Sequence, residues 1–567
     1  DVLTADTESL KKTKTVNVDS LKVDKLYIAI RQGQETLFGK GEVELAMSDG
    51  TRIAVARSIN EIQKAREIIS QAKLVIGHDL KALMHGIDLS IESDLFDTMV
   101  ASYLHASHER GFDLSLSARR YADARLSDSS TIKDDVEVVI KLYQKLNKLL
   151  EKDGVGKLAQ EVEMPLVRVL YHMEKEGIKI NKSHLQDLSK RFGDELHRLE
   201  KKIYKLAGQE FNVQSPSQLA TILFDVLKLP TKKIKKTKTG LSTGASELEK
   251  LWEAHEIIPL VSQYREFAKL KSTYVDALPR LIGKDDRVHT SYNQCVTATG
   301  RLSSSDPNLQ NIPVRTELGI GIRNAFVAKH GYSLVACDYS QFELRLASVM
   351  AQDKNFIKAF QQGADIHRRT AAEILEKDEQ NVTKEERSAA KAINFGILYG
   401  MGVRNLAKSS GLSKEAAQIF LDRYFELHPG ITKYIEDTKA FAHKNGYVQT
   451  LFGRRRYLPD IHSGIQQLRS ASERMAVNMP IQGTQADLVK MAMIQVENWI
   501  EKSDLDVKML LQVHDELVFE IRNSDLDKAA SKIQNIMEGI WKSEVPLIVD
   551  VEIGKNWGES LKDWEKK

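Results

Sequence analysis

Four side chains recur at every fourth position late in the chain: Arg387, Lys391, Phe395 and Tyr399. At about 100° per residue, a spacing of four drifts only ~40° per step, so on a helix these four make one shallow stripe. The stripe runs from two cations to two aromatics. That order suits a nucleoside triphosphate, with fixed positive charge for the phosphates and flat surface for sugar and base. It equally fits a solvated basic turn followed by a Phe and a Tyr facing a core, and spacing alone does not choose. Two acids bear on the choice. Asp338 ends the apolar run 334–337, where a strand tip would hold a carboxylate exposed yet rigid, as a metal ligand requires. Asp515 stands with His514 and Glu516 between two apolar runs, the pattern of a β-hairpin with polar residues at its turn. A hydrophilic turn by itself would also account for those three.

The pattern Arg387-x-x-x-Lys391-x-x-x-Phe395-Gly396-x-x-Tyr399-Gly400 resembles the nucleotide-binding helix of the family A DNA polymerases, the bacterial DNA polymerase I type. Two more motifs flank it in the family's order: Asp338 to Arg345 (Asp-Tyr-Ser-Gln-Phe-Glu-Leu-Arg) before, and Gln512-Val513-His514-Asp515-Glu516 after. The resemblance is close from about residue 161 onward and loose before that. It implies that Asp338 and Asp515, with the backbone carbonyl of Tyr339, hold two Mg²⁺ ions, for which Mn²⁺ can substitute. Lys391 and Arg387 would complete the catalytic set by meeting the triphosphate, Lys391 also protonating the departing pyrophosphate. His367 would contact phosphate, while Gln341, Phe395 and Tyr399 would line the nucleotide site. Glu343 corresponds to a steric gate that rejects a 2′-hydroxyl, and the missing hydroxyl at Phe395 implies discrimination against dideoxynucleotides. Glu516 would be supportive.

Primer–template DNA and dNTPs are the partners so implied. Arg301 and Arg315 lie in a hydroxyl- and amide-rich run, 297–315, that resembles the family's minor-groove loop, with Arg301 at the primer end. Arg474, Asn478, Gln482 and His514 match positions near the nascent pair. The three arginines 454–456 sit in a strand–turn–strand pattern suited to a template contact. Lys232, Lys233, Lys235 and Lys236 belong to a run with five lysines in eight residues. On composition that run is a solvated loop; within the family it would be a thumb tip gripping phosphates. Four positions depart from the family pattern: Phe342 where Ile is usual, Gln485 where Ala is common, and Gly402 and Arg404 after the nucleotide helix.

These residues need elements to place them. A chain of 567 residues holds about three or four folding units at ~100–200 residues each. Strand-like runs at 26–30, 52–56 and 74–77 alternate with helical patterns at 59–72 and 136–150, which indicates an α/β unit. From residue 157 the pattern turns helical, with long amphipathic spacing over 183–206. The expected architecture is therefore α/β and α+β multidomain. The resemblance makes residues 1–155 a ribonuclease-H-like 3′–5′ exonuclease-type domain and 156–567 a right-hand polymerase domain. Its thumb would span about 165–285, its palm about 286–345 and 481–567, and its fingers about 346–480. In the family register, Thr15 and Asn17 replace the first pair of exonuclease carboxylates and Leu83 the next, while Thr131 replaces a Tyr and Asp135 survives. One acid cannot hold two divalent ions, so proofreading is expected to be absent. Asp6 and Glu8 form a literal Asp-x-Glu but lie in a polar head with no apolar strand behind it. Asp97 and the His78–Asp79 pair are expected to face solvent or be structural.

The net charge of +3 is too small for the whole surface to attract DNA, so binding needs local basic patches. Two cysteines, Cys295 and Cys337, exclude a cysteine-based zinc site and point to a reducing compartment. No signal peptide or apolar run of about 20 residues is evident. A soluble monomer of the bacterial cytoplasm is expected, and an initial Asp suggests a piece of a longer chain. The function expected is template-directed DNA synthesis in replication and repair. A phage-type RNA polymerase shares the two aspartates and the Arg/Lys helix, but Glu343 argues against it. A catalytically dead DNA-binding scaffold conflicts with intact Asp338, Asp515, Arg387 and Lys391.

Overall fold

The computed structural model describes residues 14–33, 43–238, 240–314, 316–398, 400–558 and 562–563. Asp6, Glu8, Arg315 and Tyr399 lie outside them. Among the described residues, the N-terminal unit holds six strands in the spatial order Lys14–Thr15, Arg52–Ala56, Val43–Ser48, Lys25–Gln32, Leu74–Gly77, Asp94–Asp97. Lys25–Gln32 runs antiparallel to Val43–Ser48 and parallel to Leu74–Gly77. Its apolar residues Leu26 and Ile28 are fully buried, as are Val75 and Ile76. Helix Ile59–Gln71 begins where Ser58 and Glu61 form a capping box. Helix Ile132–Lys152 buries Val136, Val139, Leu142 and Leu146 in the same core. Strands Val43–Ser48 and Asp94–Asp97 escaped the sequence reading, the second because acids bracket only two apolar residues.

The structure corrects the register for Thr15 and Asn17. Thr15 lies on the edge strand, four strand spacings, or about 19 Å, from Leu74–Gly77, the strand that leads to Leu83. A carboxylate at Thr15 would stand on the opposite edge of the sheet from that strand. The strand beside Leu74–Gly77 is Lys25–Gln32, and it carries Arg31. Arg31 forks Asp135, Nε to Oδ2 at 2.5 Å and Nη2 to Oδ1 at 2.8 Å. Asp97 is structural and not solvent-facing: it is 1% exposed and its carboxylate accepts from the backbone of Asp79, Leu80 and Met99.

Helices Lys182–Ala207 and Ile257–Leu270 pack against each other through Leu199, Ile203, Ile257, Ile258 and Val261. Near them the lysine run makes a turn at Lys232–Lys233 and then enters a short hairpin, Lys236–Thr237 with Gly240–Leu241, with Ile234 buried between the two. An antiparallel sheet follows, ordered Val507–Val513, Glu516–Arg522, Tyr332–Tyr339, Val549–Gly554, Lys562–Asp563. Between its strands in sequence come Phe342–Met350, Ile366–Leu375, Lys384–Leu398 and the long helix Gln466–Ile500. That last helix crosses the expected boundary at 480/481. Pro480 cannot donate to the helix ladder, but Met479, Pro480 and Ile481 are all buried, and packing on both sides carries the helix through. No described helix is long and apolar enough to cross a membrane.

Candidate active site

Asp338 is the penultimate residue of strand Tyr332–Tyr339 and lies directly across from Glu516 on one side and Asp550 on the other. Asp515 adjoins Glu516 in the two-residue turn between Val507–Val513 and Glu516–Arg522. Its carbonyl accepts from the Tyr339 amide at 3.4 Å. The two acids, 177 positions apart, thus meet at one end of the sheet. The turn is held in an uncommon conformation: His514 has φ 57°, a region that non-glycine residues enter at some cost. Gln512 secures it by donating to the His514 carbonyl at 2.6 Å, and Gln310 secures Gln512 in turn. His514 itself is exposed.

Desolvation, then the charges of Asp515, Glu516, Asp550 and Glu552, push the Asp338 carboxyl up to about 8. Asp515 is raised too, by desolvation and by Glu343. Crowded carboxylates resist sharing full negative charge, and a bound cation relieves that conflict. All the donors are oxygens, which fits Mg²⁺ or Mn²⁺. Glu516 is turned aside: its Oε1 accepts from the Trp557 indole at 3.0 Å, and Arg323 lies 3.8 Å over the same ring. Asp550 and Glu552 were not singled out from sequence. Only the register of the last strands brings them to Asp338.

Arg301 Nη2 donates to Glu343 Oε1 at 2.7 Å and to Gln485 Oε1 at 2.5 Å. Gln485 Nε2 lies 3.5 Å from Asp515 Oδ2. The structure thereby joins Arg301, Glu343 and Asp515, which sequence reasoning had assigned separate roles. Gln341 stands at φ 51° before helix Phe342–Met350, and its Oε1 is buried without a partner. Phe342 is buried and stacks on Tyr339, with ring centroids 4.2 Å apart.

Helix Lys384–Leu398 starts at a reciprocal cap in which Thr383 Oγ1 accepts from Glu386 N and Glu386 Oε2 from Thr383 N. The helix brings Arg387, Lys391 and Phe395 to one side. It packs on Ile366–Leu375 and also touches Phe342–Met350, the helix that starts four residues after Asp338. Arg387 Nε meets Asp365 Oδ2 at 2.6 Å, a pairing the sequence did not announce. Lys391 makes no ion pair among the described residues. His367 is only 3% exposed. Burial lowers it to about 4, with Lys391 and Arg387 acting in the same direction and Asp365 opposing, so the ring is neutral at pH 7. Asn394 Nδ2 donates to its Nδ1 at 3.1 Å, which leaves Nε2–H as the proton the ring can offer.

Arg474, Asn478 and Gln482 share one stripe of helix Gln466–Ile500 at a spacing of four. Arg474 is exposed and packs over Gly400, where a Cβ would stand 2.7 Å from its Cγ. Asn478 Oδ1 is buried without a partner. Lys232, Lys233, Lys235 and Lys236 are all exposed. The arginines 454–456 do not form the expected open patch. Arg454 is 2% exposed and is bound by Glu163 and by Asp487 at 2.7 Å. Arg455 lies 3.5 Å from Asp153 and over the Tyr447 ring, while Arg456 is half-buried against Met475.

The comparisons agree with this architecture. A family model described as DNA polymerase family A matches residues 182–559. The chain is 39% identical to DNA polymerase I of Pseudomonas aeruginosa, an alignment covering 97% of this chain and 63% of that protein. It is 49% identical to the thermostable DNA polymerase I of Thermus aquaticus over 70% of this chain and 48% of the other. Among solved structures, the POL domain of Pol1 from M. smegmatis, in complex with DNA primer-template and dNTP, superposes with a TM-score of 0.88 at 34% identity. That match covers 94% of this chain and 96% of the other. The chain belongs to DNA polymerase family A. It spans about three fifths of the length of the Pseudomonas relative.

Proposed function

We propose that this chain is a template-directed DNA polymerase that adds dNTPs to a primer 3′-hydroxyl and releases pyrophosphate. The observation that carries the reading is the meeting of Asp338 and Asp515 at one end of a sheet, close to the helix that presents Arg387 and Lys391. Asp338, Asp515 and the Tyr339 carbonyl would hold two divalent cations. When bound, such ions neutralise phosphate charge and make the primer hydroxyl a better nucleophile. The chain's own groups do the rest. Arg387 exchanges Asp365 for phosphate oxygens, the neutral His367 donates Nε2–H to phosphate, and Lys391 gives a proton to the leaving pyrophosphate. Phe395 and Gln341 line the sugar and base, with Tyr399 on the template side. Glu343, fixed by Arg301, leaves no room for a 2′-hydroxyl. Arg301, Arg315, Arg474, Asn478, Gln482 and His514 line the duplex, and Lys232, Lys233, Lys235 and Lys236 grip its phosphates. The boundaries 1–155 and 156–567 keep the six-stranded and five-stranded sheets in separate units, and we read the enzyme as a monomer of the bacterial cytoplasm active in replication and repair.

The first unit is, on this reading, a ribonuclease-H-like exonuclease-type domain that no longer excises. The support is the Arg31 fork on Asp135, a fixed cation where a catalytic site would need a replaceable one. Primer extension by the wild type and by Asp515→Ala tests the main proposal. The variant is expected to lose extension by more than about a thousandfold, the scale of losing electrostatic stabilisation of the transferring group, while keeping primer–template affinity. Extension surviving in Asp515→Ala, or equal use of rNTPs and dNTPs by the wild type, overturns it.

A further inference from the structure

Gln485 is 4% exposed on helix Gln466–Ile500, and it replaces a small residue in the family pattern. Its amide is placed between a cation and an anion. Oε1 accepts from Arg301 Nη2 at 2.5 Å, and Nε2 points at Asp515 Oδ2 from 3.5 Å, the long end of a hydrogen bond. A carboxamide can accept at one end and donate at the other, which neither an apolar side chain nor a carboxylate does. Arg301 is also held by Glu343 at 2.7 Å, and its charge reaches Asp515. Without an acceptor at 485, the guanidinium has one anchor fewer and a carboxylate within reach. An Arg–carboxylate pair there would compete with any cation for Asp515.

We propose that Gln485 is a positioning residue that keeps Arg301 on Glu343 and off Asp515, so that the Asp515 carboxylate stays open to a divalent cation. The proposal rests on the assignment of Asp515 as a metal ligand. Its consequence is specific: Gln485 governs metal affinity at Asp515 through Arg301, not dNTP affinity and not folding.

The test is Mn²⁺ binding followed by electron paramagnetic resonance, on the full chain with a dideoxy-terminated primer–template and dNTP, so that no turnover occurs. Gln485→Leu is expected to raise the Mn²⁺ dissociation constant about threefold to tenfold, the worth of one ordinary net hydrogen bond. Its extension rate should recover at saturating Mg²⁺, with KM for dNTP unchanged. Gln485→Glu keeps the acceptor for Arg301 and should bind Mn²⁺ no more weakly than the wild type. Adding Arg301→Met to Gln485→Leu should restore the lost Mn²⁺ affinity, an effect that a packing defect would not show. Wild-type Mn²⁺ affinity in Gln485→Leu, weakened binding in Gln485→Glu, or no rescue by Arg301→Met overturns the role of Gln485. Should Gln485→Leu fail to fold, the Gln485→Glu comparison decides. Asp515→Ala in the same assay separates the two levels: intact Mn²⁺ binding there sinks the metal-ligand assignment itself.

Discussion

At the scale of single residues, burial sets which charges the protein can use. His78 and His367 are both lowered to about 4, chiefly by desolvation, and both are therefore neutral at pH 7. For His367 that is chemically useful, since a neutral ring with Nδ1 occupied by Asn394 donates from Nε2 alone. For His78 the effect is on stability. Thr98 Oγ1 gives its proton to the Gly77 carbonyl and so accepts from His78 Nδ1 at 2.9 Å, and the His78 Nε2 is buried. A proton arriving there would be a buried charge. The unfolded chain takes that proton near pH 6.5 and the folded one only near 4, so stability falls as the pH drops through this window. Between pH 7 and 5 the loss from His78 should be about 2 kcal/mol. Denaturant melts of wild type and His78→Asn should show it, the variant having the flatter profile. Equal slopes would mean that His78 titrates normally in the fold.

At the scale of elements, the helical turn Ala159–Glu163, just after the N-terminal unit, is bolted to the long helix Gln466–Ile500 by a buried charge cluster. Glu163, fully buried, takes Arg454 and, at 2.6 Å, Lys490, while Asp487 takes Arg454 at 2.7 Å. Gln294 adds a donor to Glu163 at 2.7 Å. Burial alone would raise Glu163, but Arg454 and Lys490 outweigh it and hold it at about 2. Removing that acid takes from buried Lys490 its ion-pair partner and leaves Arg454 with Asp487 alone, so Glu163→Gln should cost about 3–5 kcal/mol. Calorimetry should find the loss with primer–template contacts untouched; a change under 1 kcal/mol (about the worth of a surface pair) would show that the cluster relaxes to solvent. The same cluster marks where sequence reading stopped. Local periodicity and caps announced helices Ile59–Gln71, Lys182–Ala207 and Lys384–Leu398 because their signals lie within a few residues. The hairpin that carries Asp515 was legible for the same reason. Arg454 was read as a DNA contact because its partner lies 291 positions away, and Asp365, Asp550 and Gln485 gained meaning only once folding set them beside Arg387, Asp338 and Asp515. Thr15 was misplaced because a strand's register says nothing of its rank in the sheet.

At the scale of the molecule, a net charge of +3 leaves little long-range pull on DNA, so on the proposed function affinity must come from where cations are concentrated and free. Internal pairing narrows the choice. Arg31, Arg287, Arg323 and Arg454 each lie beside a carboxylate in the fold, and Arg387 and Arg301 are held until a ligand competes. The cluster Lys232, Lys233, Lys235 and Lys236 stands apart: all four side chains are exposed, on a turn and the start of the short hairpin that follows it, around buried Ile234. Phosphate contacts of this kind release counterions, and each adds about 0.9 to the slope of log affinity against log salt. Replacing all four by alanine should therefore flatten that slope by about 3 to 4 units. Affinity at low salt should fall steeply, while the dNTP KM measured at saturating DNA stays put, because these lysines lie on a different element from Arg387 and Lys391. Fluorescence anisotropy with a labelled primer–template, run from low to physiological salt, measures the slope directly. An unchanged slope would assign the grip on DNA to the groups around Arg301 and Arg474 and leave the hairpin a solvated loop. A changed slope accompanied by a raised dNTP KM would mean that the hairpin and the nucleotide helix are coupled.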